Sequence, residues 1–525
     1  MRSRLHAQVV VVGGGPVGML VAAELGERGV RTVVLEAEIS VSERPRARVL
    51  HARALQGLAR RGYFPELVGE AAPFEAKVEA PFRFAGIPGL SITAPASEPG
   101  PVLKRPQAEL EHLFEQRARA AGVRVMRGHR VTEVAQDRHG VRIAAQGPAG
   151  RLECTGRYLV GADGGRSTVR ELAGIPSQSY RATTSGLSAL VELKDPQSLA
   201  PGWHRTPRGW IVAHDIPGAG THIKTLDCSG PHPGRHLPPT TQELRDELAR
   251  IAGRGIGFRQ PRWLSRFSDF ARLARAYRLG RVFLAGDAAH LHFPVGAQGL
   301  STGVQDALGL GWKLALAVRG HAGEDLLDTY DRERRPAAQR VIDNTLAQLA
   351  LMRSEPEADP LRALFAGILA ADRESHYLSD LISGQDTVLP ERTRRSSAWE
   401  GRFLQNVRLR TGPGRTDVIG LLRPGRPLLL VFGEEGGRYA ERARAWADVV
   451  RTVHAVPSPD VPCDALLVLP DGYVAWAAAP DGECVKDALA LYFGERSLPA
   501  GERTDTTTDM TTDMTTDMTG AGVLT

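Results

Sequence analysis

The stretch Val9-Val10-Val11-Val12-Gly13-Gly14-Gly15-Pro16-Val17-Gly18 decides the fold. Its four valines are a β-branched run with no polar break, which predicts a strand buried on both faces. That strand runs into a G-x-G-x-x-G. Gly13 allows a tight turn, Gly15 lets a pyrophosphate approach the backbone, and Gly18 lets the next helix pack closely on the strand. Met19-Leu20-Val21-Ala22-Ala23-Glu24-Leu25 predicts this helix, apolar on one face and stopped by Gly29. Its N-terminus offers unpaired N–H groups and a positive dipole end to a phosphate. Arg31-Thr32-Val33-Val34-Leu35-Glu36 predicts a second strand ending in an acid. An acid about 20 residues beyond the glycines accepts hydrogen bonds from a ribose. All these parts agree on a dinucleotide site, whereas a glycine-rich turn that binds nothing gives Glu36 no task.

With 525 residues, the chain has room for two or three domains with sizeable cores. No apolar run reaches the length of a membrane span, so no membrane partner is expected. Met1 to His6 leads directly into the first strand without room for a signal peptide, which predicts a cytoplasmic protein. Cys154, Cys228, Cys463 and Cys484 are scattered and form no C-x-x-C, the pattern of reduced thiols without a metal or redox role. No His/Cys/Asp/Glu spacing suggests a metal site. The net charge of +6 comes mostly from dispersed arginine, without a basic block interleaved with aromatics. That pattern argues against nucleic acid and leaves a solvated surface on which some arginines attract an anionic cofactor.

Two further strands repeat the opening arrangement. Tyr158-Leu159-Val160-Gly161-Ala162 ends in Asp163-Gly164-Gly165-Arg166-Ser167, and Arg281-Val282-Phe283-Leu284-Ala285 ends in Gly286-Asp287-Ala288-Ala289-His290. After Pro294 and the glycines 296 and 299, a long helix is expected from about Leu300 to Arg319, with helical character to about 382. Between 178 and 270, short alternating strands with Trp203, Trp210, His214 and His222 sit between Pro/Gly turns, as a sheet inserted into the first domain. From about 400, strands at Arg426–Phe432 and Ala465–Leu469, a helix near Ala440 to Trp446 and an Asp471-Gly472 turn into Tyr473–Trp476 make a small α/β unit. Thr504 onward contains Thr-Thr-Asp-Met three times and lacks the apolar surface to fold, so disorder is expected.

Ligands in open α/β sheets bind beyond the carboxyl ends of strands. The glycine turn with Glu36, Asp163 with Ser167 and Arg170, and Asp287 with Pro294, Gly296 and Gly299 are all so placed. This set resembles the class A flavoprotein aromatic hydroxylases, the family with the para-hydroxybenzoate hydroxylase fold. Its texture is closest to the polyketide-tailoring and phenol hydroxylases. The resemblance spans about residues 8 to 385, and the C-terminal unit looks like the thioredoxin-like domain of the longer members, without redox cysteines.

The resemblance implies a mixed α/β and α+β architecture. A Rossmann-like FAD-binding domain covers 1–177 and resumes with long helices over 271–395. A substrate-binding sheet domain covers 178–270, joined by the segment from about 75 to 101. A thioredoxin-like domain covers 396–503 and a disordered tail 504–525. Gly13, Gly15 and Gly18 would hold the FAD pyrophosphate, Glu36 the adenosine ribose, Arg46 the flavin phosphates and Gln107 the ribityl side. Asp163 belongs to a motif that the family uses for FAD and NAD(P)H, and Asp287 would bind ribityl hydroxyls. Backbone N–H groups around Gly299, Leu300 and Ser301 would face the flavin pyrimidine edge. Ser301 stands where the family usually has Asn, so a backbone contact is kept and a side-chain contact is in doubt.

Arg48 and Pro294 are the residues expected beside the reacting centre. Arg48 has two readings, a guanidinium near the reacting oxygen or a structural ion pair. Trp210, His222, Phe293 and Arg83 are weaker candidates for contact with substrate, against a reading of the first three as core. His290 reads as a packed, hydrogen-bonded histidine. The implied chemistry is reduction of FAD by NAD(P)H, reaction with O2 to a C4a-hydroperoxide, and hydroxylation of an electron-rich ring of a small polycyclic aromatic of polyketide type. Baeyer–Villiger oxygenation of a ketone, a geranylgeranyl-type reductase and a non-catalytic flavin-binding partner are the alternatives. A monomer or homodimer is expected.

Overall fold

A computed structural model describes residues 3–44, 46–69, 79–234, 237–371, 376–393, 397–479, 482 and 484–496. The expected disordered tail, residues 75–78 of the segment assigned to the substrate domain, and Pro45 lie outside the described residues.

Val9–Val12 is the centre of a six-stranded sheet, and the side chains of Val9, Val10 and Val11 have no exposure at all. It pairs in parallel with Tyr158–Gly161 on one side and Thr32–Leu35 on the other, with Val12 opposite both Gly161 and Leu35. Val282–Leu284 adds to the outside of Tyr158–Gly161 and Arg124–Met126 to the outside of Thr32–Leu35, both parallel. Only the edge strand Arg278–Leu279 runs antiparallel. A uniformly apolar run fits this setting because a parallel sheet is covered on both faces.

The helix after the glycine turn, Pro16–Gly26, departs from the expected one-sided apolar face. Every residue in it except Val17 is buried, including Glu24. It lies against the helices Gly299–Val318 and Gln107–Ala120 as well as the sheet. Glycines let the first of these approach closely: a Cβ on Gly311 would lie 2.6 Å from that of Glu24, and one on Gly303 2.6 Å from a Val17 methyl. The helix ends at Gly26 rather than Gly29, which instead takes a left-handed turn (φ +72°) before the next strand. The segment before Val9 also differs from a plain lead-in. Ser3–His6 is itself a strand in a separate four-stranded sheet, paired in parallel with Gly150–Gly156.

A five-stranded antiparallel sheet has the order Gly202–Thr206, Gly209–Ile216, Gly220–Asp227, Ser185–Val191, Trp263–Ser268. One face carries Leu187, Ala189, Ile211, Ala213 and Ile223 and is covered by the helix Thr241–Ala252. Side chains alternate along strands, so Trp210, Val212, His214, His222 and Lys224 belong to the other face. The hairpin Glu79–Phe84 with Ile87–Thr93 closes one end of that face, where Phe84, Trp210, Leu226 and Phe293 share a cluster.

The C-terminal unit is a six-stranded mixed sheet ordered Gly414–Asp417, Arg408–Thr411, Arg451–Ala455, Leu428–Phe432, Ala465–Val468, Val474–Ala477. The helix expected near Ala440 to Trp446 is a short helix, Gly437–Arg442, followed by a 3-10 turn, Arg444–Trp446. No helix among the described residues is long and apolar enough to cross a membrane.

Candidate active site

The three strand ends meet because their strands are neighbours in one sheet. Gly13 donates its N–H to Leu35 O (2.9 Å), Ala162 to Val12 O (2.8 Å) and Ala285 to Gly161 O (2.9 Å). The glycines have distinct tasks. Gly13 has φ +107°, and a Cβ there would fall 2.3 Å from Ala162 O, so the first motif is pressed against the second. A Cβ on Gly18 would fall 2.0 Å from Gly13 O. A Cβ on Gly15 would meet nothing within 4 Å, so this residue caps the helix beside open space.

Glu36 has local partners that a ribose role alone does not anticipate. Its carboxylate accepts the N–H of Gly14 in a close contact and that of Glu38 at 2.7 Å. Closing this turn is a task Glu36 performs without any ligand, so its presence alone no longer argues for one. Asp163 is likewise engaged: it accepts the Ser167 hydroxyl at 2.5 Å and the Val169 N–H at 3.0 Å. Burial raises its carboxyl above the usual range. The loop it shapes is tied to the third motif by Arg170, which donates to Ala288 O at 2.9 Å.

Gly286 packs on the first helix, with φ +60° and a Cβ position 3.0 Å from a Val17 methyl. Its N–H is held by Asp306 (3.1 Å), a residue that no motif marked. The same carboxylate contacts His290 Nε2 (2.7 Å) and accepts from Arg334 Nε (2.8 Å). Burial pushes the Asp306 carboxyl up, but His290 and Arg334 outweigh it and hold the group below the usual range. His290 is thus a packed, hydrogen-bonded residue. Asp287 differs: it is surrounded by protein yet exposed, so it faces a cleft. Burial raises its carboxyl, opposed by the nearby charges of His290 and Arg46.

The loop before the helix Gly299–Val318 is clamped from several elements. Gly296 (φ +79°) and Ala297 (φ +52°) are successive left-handed residues, a costly conformation for Ala297. His51 fixes the loop at both ends. Its backbone N–H donates to Ser301 Oγ (3.0 Å), and its Nε2 meets Gly296 O (2.9 Å). Burial lowers the His51 pKa to about 4, so the neutral ring donates from Nε2. Gln298 donates to Leu381 O (3.0 Å) and accepts from Asn344 (2.6 Å). Ser301 therefore anchors the loop through its side chain, while Gly299 and Leu300 occupy the first turn of the helix. Pro294 is exposed, and Phe293 is buried against Phe267 at 5.9 Å between ring centres.

Arg46 is exposed, and its charge acts on Asp287 across the cleft. Gln107 starts a helix, with its N–H on Ala47 O at 3.0 Å. Arg48 precedes the strand Val49–His51 and has a buried Nε without a hydrogen-bond partner. Neither an ion pair nor a hydrogen bond involves its side chain among the described residues. On the five-stranded antiparallel sheet, His222 contacts Ser188 Oγ through Nε2 (2.8 Å) and His214 through Nδ1 (3.3 Å). Burial, then the charges of Lys224, His214 and Arg48, lowers the His222 pKa to about 3. Trp210 is committed to structure, its Nε1 donating to Met352 O at 2.7 Å. Arg83 is exposed and donates to Gly86 O at 3.4 Å.

A dinucleotide with a polyol chain fits these features: open space beside Gly15, a helix N-terminus, and an accessible carboxylate deep in the cleft at Asp287. Among the described residues no group of three or more His, Cys, Asp or Glu side chains is arranged to hold a metal.

Comparison with known proteins gives the same reading. The family model described as an FAD binding domain matches residues 6–345, and that of the aromatic-ring hydroxylase C-terminal domain matches 397–495. The chain is 37% identical over 512 residues to the 12-dehydrotetracycline 5-monooxygenase/anhydrotetracycline 6-monooxygenase of Streptomyces rimosus, covering 94% of this chain and 100% of that protein. It is also 37% identical to the dialkyldecalin synthase of Streptomyces rugosporus, covering 93% and 98%. The solved anhydrotetracycline hydroxylase from Streptomyces rimosus superposes with a TM-score of 0.85 at 35% identity, covering 94% of this chain and 100% of that one. The chain belongs to the FAD-dependent aromatic-ring hydroxylases and is a monooxygenase of that family.

Proposed function

We propose that this enzyme inserts one oxygen atom of O2 into a polycyclic aromatic of polyketide type, using FAD and NAD(P)H. The observation that carries the reading is that three neighbouring parallel strands end side by side, at Val12, Gly161 and Leu284, each running into one of the three motifs. Bound FAD, once reduced by NAD(P)H, supplies the means of activating O2. The chain's own residues bind and orient. The Gly13–Gly18 turn and the helix N-terminus would take the pyrophosphate, with Arg46 adding positive charge beside it. Asp287 would accept hydrogen bonds from the ribityl hydroxyls. Gln107 would stand beside that chain, and Glu36 and Asp163 would shape the loops around it. The N–H groups of Gly299, Leu300 and Ser301, clamped by His51, Gln298 and Asn344, would meet negative charge at the ring edge without rearranging. Phe293 and Trp210 would exclude water from one end of the substrate space.

The test is to purify the protein, record its flavin absorbance, and follow NADPH and NADH oxidation with O2 uptake against a panel of hydroxylated polycyclic aromatics. Stimulated oxidation and a product one oxygen heavier, with NMR placing a new ring hydroxyl, are expected. A ring-expanded lactone would identify Baeyer–Villiger chemistry. One observation favours a second reading: a relative of the same identity is named a synthase. An isomeric product without NAD(P)H consumption would establish that reading instead.

A further inference from the structure

The far end of the helix Gly299–Val318 borders a second cavity. Trp312, Ala315, Leu316 and, just past the last turn, Arg319 recur at i, i+3, i+4 and i+7, so they share one face. That face lines a space of about 440 Å³, closed on the other side by the Pro424–Pro427 turn of the C-terminal unit. Small-molecule sites range over about 300–1,000 Å³, so the space is large enough for a ligand. At 1.5 Å per residue, Leu316 stands about 24 Å along the helix from Leu300, well away from the strand ends. The junction is pinned on both sides of the cavity. Arg61 donates to Arg423 O at 2.5 Å, and Trp312 Nε1 to Asp471 at 3.0 Å. Gly425 has φ +72°, and a Cβ there would fall 2.6 Å from Arg28 Nη2, so glycine is what lets the turn approach Arg28.

The charges around this cavity do not balance. Its lining includes Arg28, Arg319 and Arg426 against Glu27 and Asp448. Both carboxylates are already taken by cations outside the lining: Glu27 accepts from Arg61 (3.1 Å) and Arg117 (3.3 Å), and Asp448 from Arg496 in a close contact. Arg28 gives one nitrogen to Glu24 at 2.8 Å, a carboxylate it shares with Arg61. Its Nε and Nη2 are buried without a hydrogen-bond partner, so this guanidinium is only partly satisfied. Arg319 and Arg426 make no ion pair among the described residues. Each contacts only backbone carbonyls: Arg319 that of Arg28 (3.4 Å), Arg426 those of Ala447 (2.8 Å) and Val449 (3.3 Å). The Arg28 contact and the Gly425 approach place all three guanidinium-bearing segments side by side. An exposed arginine is ordinarily satisfied by water, but these two are exposed beside walls of Ala315, Leu316, Pro427 and Val449.

We propose that this cavity, between the long helix and the C-terminal unit, is a second binding site that takes an amphipathic organic anion. The oxyanion head pairs with Arg319 and Arg426, with the positive potential of Arg28 behind them. The apolar body lies along Leu316 and the proline-flanked turn. A guanidinium presents a planar fork that matches a carboxylate, which makes arginine the suitable cation for this head group. The apolar walls disfavour a small, fully hydrated anion, and the two cations disfavour a neutral ligand of the same shape. The site makes and breaks no covalent bond, and it stands whether or not the flavin cleft hydroxylates an aromatic.

Octanoate is a suitable probe, because it carries one carboxylate on an aliphatic body and has no ring for the flavin cleft to oxidise. FAD-loaded full-length protein is titrated calorimetrically with octanoate, 1-octanol and inorganic phosphate, as wild type and as the double variant Arg319→Ala/Arg426→Ala. Both positions are exposed and hold only backbone contacts, so the variant should keep the wild-type melting temperature and flavin absorbance. Octanoate should bind the wild type at one site per chain without altering the flavin spectrum. A hydrogen bond to a charged group is worth about a 10- to 100-fold change in affinity, so the double variant should bind octanoate at least about 10-fold more weakly. Octanol and phosphate should each bind the wild type more weakly than octanoate. No saturable octanoate binding, or equal affinity in wild type and variant, overturns the site. Octanol binding as tightly as octanoate overturns the role of the arginines, and phosphate binding as tightly overturns the role of the apolar walls.

Discussion

Asp306 divides its two oxygens between the Gly286 N–H and the His290 ring on one side and the Arg334 guanidinium on the other. All of these groups are buried, and removing one member of a buried charge pair costs about 3–5 kcal/mol. Asp306→Ala should lower stability by that order in urea melts and release flavin along with it. A variant as stable as the wild type would remove Asp306 from the account. Ala297 tests strain at the same loop. Its φ of +52° is unfavourable for any residue but glycine. Ala297→Gly should be neutral or gain up to about 1 kcal/mol, read as an unchanged or raised melting temperature. A clear loss would mean that the methyl group packs rather than strains. Neither residue was legible as part of a site. Asp306 belongs to no motif, and its signal was only that it is an acid in a largely apolar helix, a position that demands a buried partner. Glu36 was legible as important for a reason that is now incomplete, since its carboxylate already closes the glycine turn.

At the scale of elements, the buried strands were the readable part. Val9–Val12, Tyr158–Gly161 and Val282–Leu284 have apolar runs with no alternation, which a parallel sheet requires. Sequence periodicity predicts a one-sided helix where Pro16–Gly26 is buried all round, because it cannot see that other helices enclose it. The clamps His51–Gly296, His51–Ser301 and Gln298–Asn344 span 46 to 250 residues of sequence, a separation that no local pattern encodes. The helix Thr241–Ala252, behind the five-stranded sheet, yields a pH prediction. Glu247 is buried against Thr225, and burial raises its pKa from 4.5 to about 7. A raised pKa favours the folded state while the group is protonated, so this contribution is full below about pH 4.5 and is lost as pH climbs to about 7. Glu247→Gln should remove this part of the decline, measured as melting temperature against pH. An identical wild-type and variant profile would contradict the assignment.

At the scale of the molecule, the C-terminal unit is bound to the flavin domain by buried polar contacts rather than by a flexible hinge. Arg60 and Glu98, both without side-chain exposure, pair at 2.6 Å, and Arg60 also donates to Leu404 O at 2.7 Å. Trp312, on the long helix, donates to Asp471 at 3.0 Å. Glu98→Ala would strand a buried guanidinium at this junction and should cost about 3–5 kcal/mol, seen as loss of the two domains' shared unfolding transition. Retention of one cooperative transition at wild-type stability would contradict this.

The central claim is that three distant segments make one FAD site, and Asp287 is its most direct probe. A carboxylate–hydroxyl hydrogen bond is worth about 1.5–3 kcal/mol. Fluorescence titration of flavin-stripped protein should therefore give tight FAD binding for the wild type and binding weaker by about 10- to 100-fold for Asp287→Ala. Equal affinity in the two proteins, or a wild-type protein that takes up no FAD, would contradict the account.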